Sequence, residues 1–264
     1  MRRVTFEQAW QQWRDEREAE LRSPEGFLAI TGLHWLGAQP QRFPGIPGAW
    51  SNAPEGAVVE LGPGEWLELG GTTLAGRYVF GHVDPVGVVA TFDAGTVEVA
   101  DRFGTPVLRP RQPDGPFLRD YTGTPTYAPD PAWRVTADFT AYETSRPISV
   151  GSVVEGRSSV IDAVGEVAFE VGGRPQRLIA FDGGDDELWL LFTDETSGVT
   201  TYAACRQLAV EPPADGKAVL DFNRAANMPC AYTIHATCPL PPASNHIDVL
   251  VEAGEQTPPR PPAD

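Results

Sequence analysis

The chain has 264 residues, 41% of them hydrophobic, with seven Trp and twelve Phe; that is enough to bury a full core, and it excludes a disordered protein. A net charge of −16 excludes sequence-independent nucleic-acid binding, which needs clustered cations, and disfavours docking on anionic membranes. No apolar run reaches the length of a membrane span, and 27 glycines with 26 prolines favour short strands joined by turns.

The opening "MRRVTFEQAWQQW" has two arginines but no apolar region behind them, so no secretory signal is expected. Three cysteines, an odd number, then fit free thiols in a reducing, cytoplasmic setting. Residues 4–22 predict a helix, with Phe6, Trp10, Trp13 and Leu21 near one stripe and Arg14, Asp15, Arg17 and Glu18 mostly elsewhere. The stripe is expected to pack on a sheet, and "SPEG" at 23–26 ends the helix. "GFLAITGLHWLG" is too short and glycine-broken for a helix and reads as a buried strand pair or loop.

From 57 onward come short β segments such as "AVVEL", "EWLEL", "RYVFG", "VGVVATF" and "TVEVA", separated by Gly, Pro or Asp. The proline-rich "GPFLRDYTGTPTYAPDPAWRV" reads as a junction between two β halves. Beyond it, "EVAFEVGGRPQRLIAFDGGDDELWLLFTD" predicts a three-strand meander with "GG" and "GGDD" in its turns. "ELWLLF", apolar on both faces, should be a central strand. "EQTPPRPPAD" closes the chain and reads as disordered.

The stretch "LDFNRAANMPCAYTIHATCPLPP", residues 220–242, packs an acid, two asparagines, an arginine, two cysteines and a histidine among prolines. Following "DETSGVTTYAACRQL", it resembles the signature of the domain of unknown function 1684 family of bacteria and archaea. "GFLAITGLHWL" and "YAPDPAWRVTADF" fit as well, so the resemblance covers roughly residues 6–255. The signature positions here are Thr201, Tyr202, Arg206, Asp221, Asn223, Arg224, Asn227, Cys230, Cys238 and Asn245. Met228, Ala226 and His235 depart from the pattern, which usually has proline, an aromatic and tyrosine there. The resemblance implies no activity, and a site that needed an imidazole would not normally carry tyrosine at position 235.

Cys230, His235 and Cys238 are ligand types for zinc, but a structural site needs four ligands and usually a tight cysteine pair, so no metal is expected. A Cys230–Cys238 disulfide is opposed by cytosolic redox poise. A nucleophilic cysteine assisted by His235 or Asp221 lacks a recognisable motif. Packing as small buried groups is the simpler reading for these two cysteines and for Cys205. His34 reads as a core or boundary histidine, and "DGGDDE" as turn solvation rather than a calcium loop. No dinucleotide, Walker, nucleophile-elbow or zincin pattern occurs.

Asp221, Asn223, Arg224 and Asn227 follow a strand and precede an irregular loop. Two readings stay open. Such side chains stitch buried loop backbone that lacks a ladder partner, with Arg224 clamping Asp194 or Asp221. Alternatively they border a pocket that binds a small polar or anionic molecule.

The expected fold is mainly β: an N-terminal helix (1–24), a sandwich-like β half (25–128), and a barrel- or sandwich-like half (129–255) carrying the 220–245 loop. Residues 256–264 form a disordered tail in this division. The leading functional expectation is a small-molecule site lined by Tyr202, Arg206, Asp221, Asn223, Arg224, Asn227, Cys230, Cys238 and Asn245, with catalysis left open. The alternatives are a structural or interaction module and a flavin-binding split barrel. No cofactor, nucleic acid or membrane partner is expected, and the oligomeric state is not legible.

Overall fold

The computed structural model describes residues 4–259. Within them the chain divides into two compact units, one of residues 4–20, 122–232 and 237–259, the other of residues 21–121 and 233–236. No helix among the described residues is long and apolar enough to cross a membrane.

Helix α1 spans Phe6–Leu21. Thr5 and Gln8 cap it reciprocally: Gln8 N donates to Thr5 Oγ1 at 3.2 Å and Thr5 N to Gln8 Oε1 at 3.0 Å. This satisfies donors that a helix start leaves open. "GFLAITGLHWLG" forms a single 3₁₀ turn at Phe27–Ala29 and then a two-residue strand.

Ten strands follow in the N-terminal half: β1 (His34–Trp35), β2 (Gln41–Arg42), β3 (Ala49–Ala53), β4 (Gly56–Glu60), β5 (Leu67–Leu69), β6 (Thr72–Leu74), β7 (Arg77–Gly81), β8 (Val88–Phe92), β9 (Gly95–Arg102) and β10 (Thr105–Arg111). They make two antiparallel sheets, ordered β1-β10-β9-β8-β5-β6 and β2-β3-β4-β7. Trp50 and Val59 from the second share one core with Leu67, Val97, Val99 and Leu108 from the first. Two sheets facing across a common core are a sandwich. Glu98 lies on β9 between core valines and draws Arg102, Arg109 and Arg111 to its carboxylate at 2.8, 2.5 and 2.7 Å. Burial works against its charge, but Arg109 and Arg111 outweigh burial and hold its carboxyl below the usual range.

The second half carries β11 (Arg134–Gly151), β12 (Ser158–Val171), β13 (Arg174–Gly184), β14 (Glu187–Asp194), β15 (Arg206–Val210), β16 (Lys217–Asp221), β17 (Ala226–Asn227) and β18 (His246–Ile247). Its sheet runs β16-β11-β12-β13-β14-β15-β17, with β18 added parallel to β14. The meander is β12-β13-β14. Its first turn uses left-handed Gly172 and Gly173, its second left-handed Asp185 and Asp186, conformations that glycine and aspartate tolerate best. β14 is central, with Leu188, Leu190, Leu191 and Phe192 all buried. No sheet closes on itself, so of the two expected forms for this half the barrel is not made.

The core of this half joins Val167, Leu178, Leu190 and Leu208 to Phe222, Ala225, Val251 and Ala253. The irregular segment therefore contributes core residues. Asp221 Oδ1 accepts from Asn223 N at 3.2 Å and starts a 3₁₀ turn, Phe222–Arg224. That turn drops Phe222 between Phe169 and Phe192, at ring distances of 5.7 and 5.6 Å. Each such buried ring contributes about 2–3 kcal/mol of apolar burial.

The expected tail needs correction at its start. Gln256 N donates to Pro125 O at 2.8 Å and Thr257 N to Thr200 O at 3.0 Å. Residues 260–264 lie outside the described residues.

Candidate functional site

Most of the signature residues are held inside the protein, around two buried charges. Arg206 is 1% exposed. Its Nη2 donates to Asp194 Oδ2 at 2.8 Å and to Val251 O at 3.0 Å, and its Nη1 to Ala253 O and, at 3.4 Å, to Glu255 O. The guanidinium thus reads three alternate carbonyls of an extended segment, a fork geometry that lysine cannot reproduce. Burial lowers its pKa, and Asp194 opposes that effect. Asp194 Oδ1 in turn accepts from Thr196 N, Thr196 Oγ1 and Val251 N at 2.8, 2.6 and 3.2 Å. Thr201 completes the group at 2.8 Å from Thr196 Oγ1.

Glu255 is fully buried. Its Oε2 accepts from Asn227 N at 2.7 Å and Tyr232 Oη at 2.9 Å. Arg14 and Arg17 of α1 reach its Oε1 at 3.3 and 3.4 Å. Burial acts against the Arg17 charge, yet Glu255, Tyr232 and Glu20 together raise its pKa above the ordinary arginine range. Arg17 Nη2 also donates to Asn227 O at 3.0 Å, and Trp10 Nε1 to Asn223 O at 3.1 Å. The helix is therefore keyed to the loop through polar groups. Gly254 lets the segment that carries Glu255 lie against the loop: its φ is +75°, and a Cβ there would sit 2.5 Å from Ala225 O.

The asparagines act as backbone substitutes. Asn223 bonds both the N–H and the C=O of Asp130, each at 2.9 Å. Asn245 accepts from Ile179 N and donates to Ile179 O and Leu191 O, all at 2.9 Å. It bridges β13 and β14 where their own ladder has ended, since the last paired position is Phe181 with Trp189. Asn227 Nδ2 donates to Gln256 O at 2.8 Å. Tyr202 is half-buried.

The three cysteines are free and buried. Cys230 N donates to Cys238 Sγ at 3.4 Å. The Cys230 hydrogen bond and burial push the Cys238 thiol far up, and burial pushes Cys205 up to about 12. A thiol held protonated is a poor nucleophile. His235 packs edge-on against Phe117 at 5.7 Å, and Asp221 Oδ1 accepts from Asn223 Nδ2 at 2.9 Å. Among the described residues no three His, Cys, Asp or Glu gather as metal ligands.

Two signature residues, Asp221 and Arg224, open onto a cleft of about 250 Å³. Its walls include Phe6 and Trp10 of α1, Arg134 of β11, Val219 of β16, and Glu211. Arg134 and Asp221 face each other across the β11–β16 ladder. Arg224 Nε lies 3.8 Å from Asp221 Oδ2, is shielded from water, and has no hydrogen-bond acceptor. Arg134 is exposed, and its guanidinium has no hydrogen-bond or ion-pair partner among the described residues. Of the residues expected to bind a ligand, then, the structure brings Asp221 and Arg224 to a cavity. Arg206, Asn223, Asn227, Cys230, Cys238 and Asn245 are buried and bonded within the fold. Asp194 belongs to Arg206 and Asp221 to Arg224. Arg134, Glu211 and Glu255 form no local pattern in the sequence, and only a paired register would have placed the first opposite Asp221.

The fold and this network define a mainly β protein whose C-terminal half is organised around buried arginine–carboxylate pairs. The model of the family described as "Protein of unknown function (DUF1684)" matches residues 119–256, and the chain belongs to that family. The match covers the second half, a shorter span than residues 6–255. An uncharacterised protein of Haloarcula marismortui, solved by NMR in solution, is 34% identical over 54% of this chain and 80% of that one, with a TM-score of 0.46. No curated protein matches the chain.

Proposed function

We propose that the protein binds a small polar molecule with an anionic group in the cleft bordered by Asp221 and Arg224, and that the buried signature residues shape this border rather than touch the ligand. The observation that carries the reading is the pair of guanidiniums at the cleft: Arg134 without a partner, and Arg224 with a water-shielded N–H that no acceptor meets. Unmet donors are costly when shielded, and a carboxylate or phosphate satisfies them in a forked geometry. Trp10 and Phe6 offer an apolar wall, and Asp221 with Glu211 offers acceptors for a donor group on the same molecule. The volume suits a ligand the size of an amino acid or a short dicarboxylate.

The test is calorimetric titration with succinate, glutamate and inorganic phosphate, repeated on Arg224→Gln. Saturable binding of one probe, lost in the variant, supports the reading. The absence of saturable binding for all three overturns it.

A structural role for the loop is the second reading, favoured by the way Arg206, Asn223 and Asn245 spend their donors on the chain's own carbonyls. In that case Arg224 serves stability alone. The flavin alternative draws no support from a cleft of this size.

A further inference from the structure

We infer that the opposite end of the C-terminal core is a second binding site, for a small organic cation with an apolar body. Strand directions place it. β14 runs from Glu187 toward Asp194, β16 from Lys217 toward Asp221, and β11 from Arg134 through Phe139. The Arg206 network and Phe222 therefore occupy one end of the sheet. Phe139, Leu188 and the turn before Lys217 mark the other.

At that other end a cavity of about 670 Å³ opens. Its floor is apolar: Phe139, Val164 and Leu188 all belong to or pack against the main core. Pro212 and Pro213 stiffen one wall. Gly165 is what lets the floor lie flat, since a Cβ there would stand 2.6 Å from both Phe139 Cε2 and Thr140 O.

Charge identifies the occupant. Asp182, Asp186 and Glu187 line the same cavity, and no arginine or lysine does. Asp182 accepts from Gly184 N at 2.9 Å. Among the described residues the carboxylates of Asp186 and Glu187 have no hydrogen-bond or ion-pair partner. The chain's single lysine, Lys217, pairs with Asp138 instead. A cavity within the usual size range for small ligands, with an apolar floor and uncompensated carboxylates, fits an ammonium or guanidinium carried on an aromatic or alkyl group. Phe139, which lines the cavity, is an aromatic residue of the kind that attracts a cation. An anion meets repulsion here and a neutral molecule loses the charge contribution. The charge requirement is thus opposite to that of the Arg134–Arg224 cleft, and the two proposals stand or fall separately.

The test is an NMR titration of the full chain, at physiological ionic strength, with benzylammonium, benzyl alcohol and benzoate. The expected result is saturable shifts at Phe139, Val164 and Leu188 for benzylammonium, affinity weaker by about tenfold for the alcohol, and none for benzoate. The double variant Asp186→Asn, Glu187→Gln should keep its fold, since both residues are exposed, and should bind the cation no better than the alcohol. Equal binding of all three probes overturns the inference in favour of an apolar groove without charge selection. Shifts scattered over the acidic surface, or none at these three residues, overturn it as well.

Discussion

Arg206 and Asp194 form an ion pair, Nη2 to Oδ2 at 2.8 Å, in which the two side chains are 1% and 0% exposed. A pair this deep stabilises to the extent that the donors and acceptors around it are met; here the 251–255 carbonyls take up the Arg206 Nη groups, while its Nε has no acceptor. Removing one partner strands the other. Arg206→Met is therefore expected to lose about 3–5 kcal/mol of unfolding free energy. Arg206→Lys keeps the charge but abandons carbonyls, at about 1–3 kcal/mol. Urea denaturation reads both, and an unchanged midpoint for Arg206→Met contradicts the network.

Glu255 is the counter-charge that draws Arg14 and Arg17 of α1 onto the loop. Glu255→Gln retains most of the shape and leaves buried Arg17 with only the exposed Glu20 as a carboxylate partner. A loss of about 3 kcal/mol is expected, together with weaker protection of the α1 amides in hydrogen exchange. Truncation after Gly254 should do the same. Full α1 protection in either variant argues that the helix docks through its apolar stripe alone.

Acid should weaken the fold before the carboxylates titrate. Burial lowers the pKa of His34, and burial followed by the charge of His34 lowers that of His235. In the unfolded chain both take up protons near 6.5, while in the folded protein they resist until lower pH. Their contribution is complete above 6.5 and declines as pH falls through that value. The denaturation midpoint should drop between pH 7.5 and 5.5, and less so in His235→Phe. A flat profile contradicts this.

The thiols should be silent in the native state. Cys205, pushed up to about 12 by burial, and Cys238, raised further by Cys230 and burial, should react with a thiol reagent only after unfolding. Rapid native labelling of any of the three indicates local opening of the 205–238 region.

What could be read from the sequence was whatever repeats locally. The α1 period, the "GG" turn of the meander and the doubly apolar β14 all express the chain's neighbours in sequence and formed where expected. The "GGDD" turn tightened to its two aspartates, with both glycines taken into β13. Glu255 was hidden because its partners lie far along the chain and proline-rich surroundings mimic a disordered end. Arg14 and Arg17 looked solvent-facing for the same reason: helical periodicity locates a stripe but cannot supply a distant buried carboxylate. The 220–245 residues stood out correctly as unusual, but composition alone does not separate Asn245, which replaces a missing strand ladder, from Arg224, which faces a cleft.

On the proposed function, the signature divides into a structural part and a ligand-facing part. The most direct measurement is a paired comparison of Arg224→Gln and Arg206→Met, reading urea midpoints and succinate, glutamate and phosphate titrations on the same preparations. Arg224 is 37% exposed and only loosely paired with Asp221, so Arg224→Gln should shift stability by no more than about 1 kcal/mol and abolish anion binding. Arg206→Met should lose stability by several times that amount. If Arg224→Gln is destabilised as strongly as Arg206→Met, and no anion binds the unaltered protein, the cleft is scaffold and the division does not exist.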